Sequence, residues 1–165
     1  MELYLMQHGM AFKKEQDPEE RLNPEGRARI LKSAQAMKKM GIQVDVILCS
    51  PKERSRETAG IVAEALEVSP GEIVETERVK PKAPPEDTLD LLKSYLDRKA
   101  VFVSGHLPSL NRLASHLLTG GEAQVGIGIQ NGGLVRIDID SASPESGSLT
   151  WCLPPLVLSW VLGNE

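Results

Sequence analysis

Two stretches of this sequence run from an apolar segment directly into a histidine beside a glycine. Leu3-Tyr4-Leu5-Met6 leads to Gln7-His8-Gly9, and Val101-Phe102-Val103 leads to Ser104-Gly105-His106-Leu107-Pro108. Apolar runs of this length suit short buried strands, so each histidine falls where a strand empties into a loop. In an open α/β sheet that carboxyl edge is the usual place for chemistry. A third stretch, Cys49-Ser50-Pro51-Lys52-Glu53-Arg54-Ser55-Arg56, also follows an apolar run, and Ser50 then Pro51 has the form of a helix start. The first turn of a helix presents free N–H groups and a partial positive charge, and an arginine fork beside it completes an anion site. His8, His106 and Arg54, expected along one sheet edge, form the candidate site. His116 lies within a helical stretch and is read as structural; Lys52 and Arg56 suit a solvated helix face.

Two local patterns are set aside. Cys49 to Arg54 has four intervening residues where a cysteine phosphatase loop needs five, and Pro51 removes one N–H from such a cradle. Cys49 is therefore read as a small buried apolar residue. Gly126-Ile127-Gly128 lacks the third glycine and the following helix of a dinucleotide-binding turn.

The elements that must position these residues follow from periodicity and stop signals. After His8-Gly9, Met10 to Glu20 is polar and charged, a loop placed to cover a site. Asn23-Pro24 opens a helix running to about Met40, with Ile30, Leu31, Ala34, Met37 and Met40 as its buried stripe and Gly41 as its stop. Val44 to Leu48 is a strand, and Ile61, Val62, Ala65 and Leu66 continue the helix that starts at Ser50-Pro51. A strand at about Glu72 to Glu75, a proline-rich loop at Lys80 to Pro85 and a helix from Glu86 to Leu96 come next. The strand at Ala100 to Ser104 precedes a helix from Pro108 to Leu118, ended by Gly120 and Gly121. Asn131-Gly132-Gly133 is a turn signal before the alternating Leu134 to Ile139, and Ser148 to Leu153 is the last strand. The alternation predicts a three-layer α/β/α sandwich on a mostly parallel sheet, closed by an antiparallel C-terminal strand pair.

Bulk properties narrow the function. The 165 residues suit a single domain with one sizeable core, residues 1–165. A net charge of −4 argues against nucleic acid or an anionic membrane as partner, and an aromatic share of 4% leaves no stacking platform for single strands. The two cysteines lack metal spacing, which points to a reducing cytoplasm and no metal site. No signal-peptide pattern opens the chain, and the apolar tail Leu153 to Leu162 carries prolines and is too short to span a bilayer.

Taken in order, Leu5-Met6-Gln7-His8-Gly9, Arg21-Leu22-Asn23-Pro24-Glu25-Gly26, Ser50 to Thr58 and Ser104-Gly105-His106-Leu107-Pro108 resemble the motifs of the histidine phosphatase superfamily. The match looks closest to the small SixA-type phosphohistidine phosphatases, and it spans Leu3 to about Leu153. Each motif is short; the ordered set carries the resemblance. It implies that His8 is a nucleophile that takes the phosphoryl group as a transient phosphohistidine, which water hydrolyses, with Arg54 and His106 binding the non-bridging oxygens. It further implies substrate contacts from Gly9, Gln7 and Arg21, and a hydrolase that needs neither metal nor other cofactor.

One position departs from the pattern: the family's arginine-histidine-glycine begins here with Gln7. Glutamine offers neither charge nor a bidentate fork, so the loss resembles that of one oxyanion donor, on the order of 3 kcal/mol or a hundredfold in rate. Either Arg21 or Arg56 compensates, or turnover is slow, or the protein binds phosphorylated partners without turning them over. A leaving-group acid is not evident, and Glu75, Glu77, Glu86 and Asp87 are the candidates. Phosphohistidine leaves as imidazole and needs less such help than an ester, which favours phosphoramidates. The expected partner is therefore a phosphorylated protein, such as a phosphohistidine-containing phosphotransfer domain. The alternatives are a phosphate- or phosphoprotein-binding pseudoenzyme weakened by Gln7, and a phosphomonoesterase acting on small phosphorylated molecules.

Overall fold

A computed structural model describes residues 1–163. Its elements are β1 (Glu2–Gln7), α1 (Pro24–Lys39), β2 (Val46–Cys49), α2 (Glu53–Leu66), β3 (Ile73–Glu75), α3 (Pro85–Lys93), β4 (Ala100–Gly105), α4 (Ser109–Thr119), β5 (Leu134–Ile139), β6 (Gly147–Leu153) and α5 (Pro155–Leu162). The strands form one six-stranded sheet in the order β3-β2-β4-β1-β5-β6. The first four are parallel neighbours, β5 runs antiparallel to β1, and β6 antiparallel to β5. This is the expected α/β/α sandwich with its antiparallel pair.

Strand alternation divides the core between the two faces of the sheet. Leu3, Leu5, Val46, Leu48, Val101 and Val103 pack on one face with Leu89 and Leu92 of α3 and Leu110, Leu113 and Leu117 of α4. Tyr4, Met6, Ile47 and Phe102 pack on the other with Ile30, Ala34 and Met37 of α1, Val62 of α2 and Leu158 of α5. Strands covered on both faces have no polar side, which is why β1, β2 and β4 read as unbroken apolar runs.

Two expectations need correction. Leu31 and Met40 are 46% and 38% exposed, whereas Gly26, Ser33 and Ala36 lie on the buried face of α1. That face is completed by small residues so the helix can approach its neighbours, a choice hydrophobicity alone does not reveal. Second, α2 begins at Glu53 after Lys52, so Ser50-Pro51 is a loop and not the cap. The apolar tail, to which the sequence assigns no element, forms α5, with Pro155 in its first turn, where a missing N–H costs nothing. By contrast Asn23 caps α1 as its sequence position implies, its side-chain oxygen accepting from Gly26 N–H at 2.7 Å.

Candidate active site

β1 and β4 lie side by side in a register that pairs Gln7 with Gly105, and β2 pairs Cys49 with Ser104 on the far side of β4. The residues that follow each strand end, His8, His106 and Ser50, therefore emerge at one place on the carboxyl edge. The rings of His8 and His106 lie 4.8 Å apart, centroid to centroid. Arg54, on the first turn of α2, directs its Nε–H to His8 Nε2 at 3.1 Å. The three residues expected to share a site are thus brought together.

The hydrogen bonds decide which nitrogen of His8 can react. Nδ1 lies 2.7 Å from the Gly9 carbonyl, which can only accept, so Nδ1 carries the proton. Nε2, facing the guanidinium, keeps its lone pair. Burial lowers the His8 pKa to about 4, and the positive charge of Arg54 adds to this against the opposing pull of the Gly9 carbonyl and Glu20. At neutral pH the ring is therefore neutral. His106 is pushed down to about 3, first by burial and then by His8, Arg54 and Lys52.

Hydroxyl groups fasten the strand-end loops together. Ser50 Oγ lies 2.6 Å from His106 Nε2 and accepts Lys52 N–H at 3.3 Å, while His106 Nδ1 is buried without a hydrogen-bond partner among the described residues. Ser55 Oγ donates to the Ser104 carbonyl at 2.7 Å and accepts Ser50 N–H at 3.0 Å, tying the loop before α2 to β4. Thr58 accepts Gly9 N–H at 3.0 Å and donates to the Arg54 carbonyl at 2.7 Å. Asn131, from the turn before β5, donates to the His8 carbonyl at 2.6 Å. Each of these clamps acts on the backbone or ring of a site residue.

The sequence assigns none of these four side chains a place in the site: Ser50 reads as a helix cap and Asn131 as part of a turn. Thr58 had a signal: four residues after Arg54 on one helix, its hydroxyl must lie on the same face and within reach of the Arg54 carbonyl. Asn131 had none, because its contact joins residues 123 positions apart.

Other expected positions lie elsewhere. The Arg21 side chain is turned to Asp17 and Glu19 on its own loop. Arg56 pairs with Glu53 at 3.0 Å and Glu75 at 3.3 Å. Neither stands in for the arginine missing at position 7. The Gln7 backbone pairs with Gly105 and Asn131, which sets it next to His8. A Cβ on Gly9 would come within 2.8 Å of Ile30 and 3.1 Å of the Gly26 carbonyl, so the glycine lets α1 close on the loop. Glu77 pairs with Lys80, and Glu86 lies 3.8 Å from His116. The acid that reaches the site is Glu20, whose Oε2 sits 3.2 Å from Arg54 Nη1. Cys49 is buried and its thiol is pushed up to about 11, chiefly by burial. Among the described residues no group of three or more His, Cys, Asp or Glu is placed to hold a metal ion.

Fold and motif comparisons agree with this geometry. The model of the histidine phosphatase superfamily (branch 1) matches residues 3–80. No curated protein sequence matches the chain. The protein histidine phosphatase SixA, solved with tungstate, superposes with a TM-score of 0.84 at 19% identity, covering 94% of this chain and 98% of that one. The α-ribazole phosphatase of Shigella flexneri gives 0.72 at 14% identity over 94% and 97%. A mycobacterial glucosyl-3-phosphoglycerate phosphatase, solved with VO3, gives 0.72 at 14% over 93% and 99%. The resemblance read from the ordered motifs is thus borne out: the chain has the histidine phosphatase fold, and SixA phosphohistidine phosphatases are among its structural neighbours.

Proposed function

We propose that this protein is a phosphatase that hydrolyses phosphohistidine in proteins through a phosphoryl group carried transiently on His8. The observation that supports it most is the nucleophile geometry, with Nδ1–H held on the Gly9 carbonyl and Nε2 kept unprotonated beside the Arg54 guanidinium. In the first step the Nε2 lone pair forms a bond to phosphorus while the bond from phosphorus to the leaving nitrogen breaks, its electron pair going with that nitrogen. Arg54 and His106 neutralise or donate to the non-bridging oxygens. As Nε2 becomes phosphorylated the His8 ring gains positive charge, which the Gly9 carbonyl stabilises through Nδ1–H. Water then attacks phosphorus and frees His8. These steps use the chain's own side chains and the Gly9 carbonyl, in a cytoplasmic enzyme acting on a phosphotransfer domain or similar protein.

The test is loss of phosphoryl label from a phosphohistidine protein by the purified chain and its absence in His8→Ala. Retained activity in that variant ends the proposal. The alpha-ribazole and glucosyl-3-phosphoglycerate phosphatases among the structural neighbours keep small phosphorylated molecules as rival substrates, to be assayed in parallel.

A second reading, phosphate binding without turnover, draws support from a single guanidinium among the described residues reaching His8 and from its sharing with Glu20. Gln7→Arg separates the two. A working site short of one donor gains roughly a hundredfold in rate; a binding-only site takes up tungstate and stays at background.

A further inference from the structure

Glu20 is the feature that the proposed function leaves unused. It ends the loop between β1 and α1, where its backbone adopts a φ of 52°, in the left-handed region that side-chain-bearing residues seldom occupy. The loop is anchored at its base by Phe12 N–H on the Arg21 carbonyl at 2.9 Å and Asn23 N–H on the Met10 carbonyl at 3.0 Å. Glu20 N–H binds the Asp17 carbonyl at 2.9 Å, and the carboxylate reaches out to Arg54. Arg54 thereby bridges the nucleophile, through Nε, and an acid, through Nη1.

An acid beside the guanidinium that contacts His8 is costly for a site built only to bind dianions. The groups near Glu20 are Arg54 from α2, His8 from the end of β1, and Asp17, Glu19 and Arg21 of its own loop, the last two paired with each other. His8 and His106 are neutral at pH 7. Arg54 is thus partly neutralised, Gln7 adds no charge, and Lys52 supplies the remaining local cation. A phosphoryl dianion leaves this pocket with a net negative charge. A substrate whose leaving group is itself positively charged restores the balance.

We propose that Glu20 is a specificity residue that selects phosphoramidate substrates with a cationic leaving group, a phosphorylated imidazole protonated on its distal nitrogen being the fitting case. This rests on the phosphatase reading above and narrows it. In such a substrate the ring is an imidazolium. When the His8 Nε2–P bond forms, the P–N bond breaks, the electron pair returns to the ring, and imidazole departs neutral with its distal N–H intact. No external proton is consumed. A carboxylate accepting that distal N–H favours the protonated, reactive form of the substrate. The same carboxylate repels a leaving group that departs as an anion, such as a phenolate.

The experiment compares wild type, Glu20→Gln and Glu20→Asp on a phosphohistidine peptide and on p-nitrophenyl phosphate. Glu20→Gln is expected to lower kcat/KM on the peptide by roughly tenfold or more, as for loss of one charge-assisted hydrogen bond. It should raise kcat/KM on the phenyl ester, and move the basic limb of the peptide pH profile to lower pH. Glu20→Asp, which keeps the charge, should recover part of the peptide rate. Equal changes on both substrates, or none on either, overturn the inference while leaving the phosphatase reading intact. Turnover of the ester but not of the peptide by wild type overturns the inference and the phosphohistidine reading together, leaving a phosphatase with another substrate. Turnover of neither substrate by wild type overturns both.

Discussion

At His8 the reactive atom is chosen by its partner atom across the ring. The Gly9 carbonyl occupies Nδ1, and Arg54 points a donor at Nε2, so the nucleophile is defined by two hydrogen bonds of 2.7 and 3.1 Å. Burial first, and then cationic Arg54, oppose a second proton on this ring. We therefore expect nitrogen-edited NMR to show His8 as the Nδ1–H neutral tautomer through pH 5, protonating only near pH 4. Protonation near the ordinary 6.5 would show that the ring is not desolvated. Sequence alone marked His8, His106 and Arg54, because each sits at the end of a recognisable element. It did not mark Glu20, which touches Arg54 from a loop without periodicity, nor the outward turn of Arg21, which depends on Asp17 and Glu19 being nearer.

Among the elements, α1 shows how a helix far from the chemistry shapes it. A Cβ at Gly26 would lie 2.0 Å from the Met10 carbonyl oxygen and 2.6 Å from its nitrogen, two residues past His8. Backbone cannot yield as a side-chain tip can. Gly26→Ala is expected to cost about 1–3 kcal/mol and to lower kcat by displacing the His8-Gly9 loop, read by thermal melts and turnover. Gly60 in α2 is the matched control: nothing lies within 4 Å of its added Cβ. Gly60→Ala should stabilise by up to about 1 kcal/mol, through helix propensity, and leave turnover unchanged. Both glycines fall in stretches expected to be helical, yet only the packing of α1 on the loop distinguishes them.

For the molecule as a whole, the buried site makes stability depend on pH. The folded-state pKa values of His8 and His106, about 4 and about 3, lie below the unfolded value of 6.5. Between those limits the unfolded chain binds protons that the folded chain refuses, so stability rises with pH across the window. It is complete above about 6.5 and is lost progressively as pH falls toward 4. The melting temperature should drop across that interval, and the drop should shrink in His106→Asn. A melting temperature unchanged from pH 7 to 4.5 would contradict the burial of neutral imidazoles.

The sequence by itself determined which strands would be buried on both faces, where α1 would be capped, and that two histidines and an arginine would stand at strand or helix ends. These are local properties, set by side-chain period, chain stiffness and the hydrogen-bonding reach of the neighbouring backbone. Only the tertiary structure decided that His8 and His106 face each other, because that follows from β1 and β4 being neighbours although 98 residues separate the two rings. It also decided that Ser50 would hold His106 instead of capping a helix, and that Asn131 would bind the His8 carbonyl. Contacts of that kind depend on strand order and register, which are chosen by the packing of the whole core and leave no trace in the spacing of the residues that make them.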